Sequence, residues 1–196
     1  MIRIHILVEG QTEETFVRDL LQPHLITRNV FLTPIIIATK RTKGGTKFRG
    51  GITSYQRVKK QILLLLRDTS AVAVTTMIDY YGLPDKWPGK DSVSGRTCFE
   101  RVAYLEKAFQ DDINHRRFIP YLALHEFEAL LFSDSAKIAA TFPGTDVEST
   151  LLAIRNNYHS PEEINDGPTT HPAARLLALL PSYHKTLRLF RNLLQT

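Results

Sequence analysis

The chain opens on an alternation. Ile2 to Val8 reads I-R-I-H-I-L-V, with Arg3 and His5 between apolar positions before the run turns continuously apolar. That period of two predicts a strand entering a core. Glu9-Gly10-Gln11-Thr12 reads as a turn. Thr12 is placed to cap a helix that carries Phe16, Val17, Leu20 and Leu21 on one side as far as Pro23. Glu13 and Glu14 fall in its first turn, where the helix dipole favours anions. Phe31 to Ala38 predicts a second strand, and Pro34 points to an edge position or a strand entry.

The alternation of strand and helix continues. Ser54 is placed to cap a helix carrying Tyr55, Val58, Ile62, Leu65 and Leu66. Ala71 to Ile78 is a buried strand ended by Asp79. Tyr80 to Arg96 is a long loop of the kind that often carries function. Thr97 to Phe109 is a helix with Phe99, Val102, Leu105 and Phe109 inward, and Cys98 on its apolar side as core. Phe118 to Leu124 is a fourth strand, and the segment after it turns helical through Leu131. From Ser133 onward the periodicity is helical with breaks, including segments at Ser149 to Tyr158, Ala173 to Leu180 and Tyr183 to Leu194. This order predicts an α/β fold: a mainly parallel sheet of about four strands flanked by helices, in one domain, with residues 133–196 as a helical extension or cap. No internal repeat or low-complexity tract interrupts it.

Composition narrows the class. The 196 residues are 43% hydrophobic and 23% charged, ordinary values for a globular chain. No apolar run approaches the roughly 18 residues needed to cross a bilayer, so no membrane association is expected. The first apolar stretch stops at Glu9 without a small-residue cleavage site, and the expected location is the cytoplasm. One cysteine excludes an intrachain disulfide and a cysteine-built metal site. The net charge is +5, and its source is local: Lys40, Arg41, Lys43, Lys47 and Arg49 lie within ten acid-free residues of a glycine-rich loop, Thr39 to Gly51. Without those five, basic and acidic residues are equal in number. The loop is a candidate phosphate contact, or simply a solvated loop.

Candidate chemistry gathers where strands end. Ligand sites in open α/β sheets lie beyond the carboxyl ends of strands. Three predicted strands end in acids: Glu9, Asp79 and Glu126, the last followed closely by Glu128. Grouped carboxylates repel one another unless they share a proton or a cation. An oxygen-only set suits Mg²⁺ or Mn²⁺, and such ions can activate water for phosphodiester cleavage. Capping and turn formation are the structural alternatives for Asp79, and helix-dipole compensation for Glu13 and Glu14. Glu126 and Glu128 share a face only on extended chain. His125 reads as a base, a metal ligand or an ordinary hydrogen-bonding histidine. Nucleotide-binding glycine loops and a nucleophile elbow are missing, and Ala129 stands where a zinc-protease helix needs its second histidine.

Val8-Glu9-Gly10-Gln11-Thr12-Glu13, Asp79-Tyr80-Tyr81-Gly82-Leu83-Pro84, His125-Glu126-Phe127-Glu128-Ala129-Leu130-Leu131-Phe132 and Ile164-Asn165-Asp166-Gly167-Pro168 together resemble domain-of-unknown-function family 4276 over nearly the whole chain. Its members look like Toprim-fold proteins, similar to the Toprim domains of OLD-type nucleases. The resemblance implies a glutamate after the first strand and an Asp-x-Asp after the third, jointly using Mg²⁺ for phosphoryl chemistry on DNA or RNA. Glu9 matches the glutamate and Asp79 the first aspartate. Tyr81 stands in place of the second, so Glu126 or Glu128 would have to supply the further carboxylate. The catalytic set implied is Glu9, Asp79, His125 and Glu126. The metal set is Glu9, Asp79, Glu126 and Glu128. An AAA or SMC-like ATPase partner in a bacterial anti-phage or repair setting is also implied. A non-catalytic binding subunit of such an ATPase is the alternative.

Overall fold

A computed structural model describes residues 1–38, 52, 54–93, 97–124, 127–142, 146–164 and 172–181. The basic loop with Lys40, Arg41, Lys43, Lys47 and Arg49 lies outside the described residues, as do His125, Glu126 and the segment Tyr183 to Leu194. The chain divides into two compact units, Met1–Leu124 and His125–Thr196.

The first unit holds β1 (Ile2–Val8), α1 (Gln11–Phe16), α2 (Gln22–Ile26), β2 (Val30–Ile36), α3 (Tyr55–Leu65), β3 (Ala73–Asp79), α4 (Cys98–Ile113), β4 (Phe118–Ile119) and β5 (Leu122–Ala123). The strand order is β2-β1-β3-β4, with β5 also on β3, and every pairing is parallel. Val8 at the end of β1 lies opposite Ile36 on one side and Met77 on the other. The chain therefore winds to one side of β1 for β2, then crosses to the other side for β3. That reversal puts the topological switch point between β1 and β3, where α/β sheets open a crevice.

Several local expectations are corrected. The first helix begins two residues earlier, at Gln11, with extended Gly10 rather than Thr12 as its cap. It does not stop at Pro23. A π-helical stretch, Val17–Leu21, leads directly into α2 with helical backbone at the junction, and Pro23 lies just after that stretch within the continuing run. The expected strand Phe118 to Leu124 is two short pieces, because Pro120 cannot donate to a ladder. The buried Thr76 hydroxyl repairs the break, accepting from Tyr121 N at 2.9 Å and donating to Tyr121 O at 2.8 Å. Glu106 takes the next amide, Leu122 N, at 2.8 Å. Burial raises the pKa of its carboxyl, a shift that the amide contact opposes.

Pro34 does sit on an edge strand. Leu32 N donates to Gln22 Oε1 at 2.6 Å, and just past the strand Ala38 N donates to Gln61 Oε1 at 3.2 Å. Ser54 occupies the N-cap position of α3 but its side chain makes no capping hydrogen bond, and Tyr55, Val58 and Ile62 are buried at helical spacing. Thr97 and Glu100 form a reciprocal capping box at the start of α4. Leu105 and Phe109 face inward as expected, but Phe99 is 45% exposed and Cys98 only half-buried. Both sit in the first turn of the helix, ahead of the residues that meet the sheet.

The loop from Tyr80 to Val93 is packed. Its Trp87 is buried, with ring centroids 5.1 Å from Tyr55 and 4.7 Å from Phe109, and Leu83 is buried in the same cluster. Gly89 makes this path possible. Its φ is +79°, and a Cβ there would meet Ala108 Cβ and Tyr104 Cε1 at 3.0 Å. Gly89→Ala combines left-handed strain with crowding, and is expected to cost about 2 kcal/mol, read as a shifted denaturation midpoint.

The second unit carries a 3₁₀ segment, Phe127–Ser133, in place of the α-helical turn expected there. It continues with α5 (Ser135–Thr141), α6 (Glu148–Asn156) and α7 (Pro172–Leu179). Phe132, Ile138, Leu151, Ile164 and Leu176 are buried within it. No helix among the described residues is long and apolar enough to cross a membrane.

Candidate functional site

The carboxyl ends of β1 and β3 bring two sequence-predicted acids together. Glu9 is the first residue beyond β1, and Asp79 is the last residue of β3. The Asp79 amide lies 3.5 Å from Glu9 Oε2, across 70 residues of sequence, and turns the glutamate towards the end of β3. Both residues are half-buried. Their meeting follows from the parallel register: Val8 pairs with Met77, so the two strands run out side by side.

The 3₁₀ turn Tyr80–Gly82 follows Asp79 and brings Gly82 beside the Glu9 carboxylate. A Cβ built on Gly82 would lie 3.5 Å from both Glu9 oxygens. Glycine therefore leaves room beside the carboxylate that any other residue would occupy. Gly10 does the same for Glu13, whose Oε2 would stand 3.3 Å from a Cβ there. Glu13 is only 8% exposed, whereas its neighbour Glu14 pairs with Arg18 at 3.3 Å. The dipole reading suits Glu14; Glu13 is folded in beside the turn that follows Glu9.

Sequence reasoning missed Gly82 and Arg101. The guanidinium of Arg101, near the start of α4, lies 5.9 Å from the centroid of the Tyr80 ring, and so brings a positive charge to the turn beside the acids. Spacing gave no signal for it, because the approach depends on how α4 packs. Glu128 belongs to the second unit, where it is 2% exposed. His125 and Glu126 lie outside the described residues. No group of three or more His, Cys, Asp or Glu side chains able to hold a metal ion occurs among the described residues.

Glu9 and Asp79, at adjacent strand ends with a glycine gap beside the Glu9 carboxylate, are the residues that could hold a hard divalent cation. Mg²⁺ takes one or two protein carboxylates and keeps several waters, so a third side chain is not obligatory.

The fold defines the class: a parallel α/β protein with an acidic pair at the switch point of its sheet. The chain belongs to the family described as Domain of unknown function (DUF4276), whose model matches residues 8–194. No curated protein and no solved structure matches the chain.

Proposed function

We propose that this is a Mg²⁺- or Mn²⁺-dependent, Toprim-type phosphoryl-transfer protein that cleaves DNA or RNA in the cytoplasm. Its setting would be a bacterial anti-phage or repair module, beside an AAA or SMC-like ATPase. The observation that carries this reading is the convergence of Glu9 and Asp79 at the ends of neighbouring parallel strands, 3.5 Å from carboxylate oxygen to amide nitrogen. Bridged catalytic metals stand only about 4 Å apart, so ligands must come from strand ends this close.

In this reading Asp79 and Glu9 hold the ion, and Glu9 exchanges a proton with water or the leaving oxygen. His125, Glu126 and Glu128 are the further base and carboxylate candidates that the family resemblance implies. When bound, the ion lowers the pKa of its water and neutralises charge on the phosphate. Arg101 adds a cation beside the acids, and Lys40, Arg41, Lys43, Lys47 and Arg49 track the phosphate backbone.

Tyr81 favours a second reading. It occupies the position of the second aspartate, and a phenol is a poor Mg²⁺ ligand. A non-catalytic subunit that keeps the fold and docks on the ATPase would need no further carboxylate.

Calorimetric titration of the whole protein with Mg²⁺ or Mn²⁺ separates the two. Saturable binding is expected for the wild type. Gly82→Ala is expected to weaken it about ten-fold, because the added methyl fills the space beside Glu9 while the backbone tolerates alanine. Absence of divalent binding in the wild type would favour the docking subunit.

A further inference from the structure

The turn beside Glu9 also carries an exposed tyrosine. Tyr81 is 55% exposed, far more than the residues it follows in β3. Its ring is not loose on the surface. Tyr80 packs against it edge-on, with centroids 5.0 Å apart and planes at 71°. The turn is held in place from below, because Leu83 N bonds back to Tyr80 O at 3.3 Å and the Leu83 side chain is buried in the core cluster. Arg101 stands over the other member of the pair, 5.9 Å from the Tyr80 centroid. An exposed ring, a bracing ring and a guanidinium are thus gathered on the three-residue turn that carries Gly82 past the Glu9 carboxylate.

We infer that Tyr81 is a stacking platform for an unpaired nucleobase, so that the nucleic acid presented to Glu9 and Asp79 is single-stranded. This rests on the nucleic-acid reading above. Stacking needs a free base face, which a paired base inside a duplex does not offer. It is tolerant of sequence, because every base has a π-face. Arg101 supplies the complementary charge for the phosphate next to the stacked base, and a tyrosine where a further carboxylate is expected removes one negative charge from the path of that phosphate. One position thereby exchanges a metal ligand for a substrate contact. DNA and RNA share this chemistry.

The test uses the full-length protein with the divalent ion chelated, so that binding is read without cleavage. The probes are fluorescein-labelled oligo-dT and oligo-U of about a dozen bases and a duplex of the same length. A parallel series carries 2-aminopurine, whose fluorescence is quenched on stacking. Wild type is expected to bind the single strands more tightly than the duplex and to quench 2-aminopurine. Tyr81→Ala is expected to lose roughly ten- to a hundred-fold in single-strand affinity together with the quench, and Tyr81→Phe and Tyr81→Trp to retain both. An unchanged thermal melt of Tyr81→Ala assigns the loss to the contact, while a collapsed melt transfers the judgement to the Phe and Trp pair, which keep the ring. Wild-type affinity in Tyr81→Ala would overturn the inference and leave the nuclease reading standing. So would loss of an ATPase partner, rather than of oligonucleotide, on the same substitution. Tighter binding of duplex than of single strands would overturn it as well. If wild type binds none of the probes, the platform is refuted, and the divalent titration still decides the nuclease reading by itself.

Discussion

Glu9→Gln is expected to abolish divalent-dependent cleavage while the fold survives. The substitution keeps shape and the acceptor that faces the Asp79 amide at 3.5 Å, and removes the charge that would hold a cation. Loss of a general acid or base alone is worth about 10²–10⁴-fold in rate, and loss of metal-derived charge stabilisation adds to it. The expected activity is therefore background. The assay compares wild type and Glu9→Gln on labelled DNA and RNA with Mg²⁺ or Mn²⁺, with and without the ATPase encoded alongside, and follows the fold by circular dichroism. Equal rates in the two proteins would assign the cleavage to another site or to a contaminant.

Phe109→Ala carries the largest expected effect on stability. The ring is fully buried and meets three others edge-on: Trp87 at 4.7 Å, Phe118 at 4.8 Å and Tyr55 at 5.8 Å. It thereby joins α4, the packed loop, β4 and α3. Truncation removes its apolar area and leaves a cavity that three rigid rings cannot collapse into, a cost of about 3–5 kcal/mol. A domain of this kind is stable by only about 5–15 kcal/mol, so the variant is expected to unfold at much lower denaturant. A midpoint shift below about 1 kcal/mol would show that the cluster repacks.

The sequence was informative where the determining force is local. Alternation in Ile2 to Val8 and the apolar run before Asp79 gave β1 and β3, because pleat and burial act residue by residue. Glu9 and Asp79 were legible for the same reason, since each directly ends such a run. Pro34 identified the edge strand through a missing donor. What escaped depends on distant partners. The break at Pro120 was visible as a residue, yet the Thr76 hydroxyl that repairs it lies 45 positions before the Tyr121 it bonds. Phe99 has helical spacing with the buried face but sits in the first turn of α4, before its first buried residue, Leu105. Gly82 and Arg101 became site residues only through tertiary approach, the former to a carboxylate 73 positions earlier.

The outer edge of β2 has a consequence for assembly. Strand addition by another chain needs a row of free amides, and this edge offers few: Leu32 N is engaged by Gln22, Ala38 N by Gln61, and Pro34 has none to give. A polypeptide approaching from that side would have to displace two glutamine side chains and would still meet a gap in its ladder. Copies of this protein are thus insulated from joining sheet to sheet through β2, even when crowded. A partner that recognises this side must read side chains rather than extend the sheet.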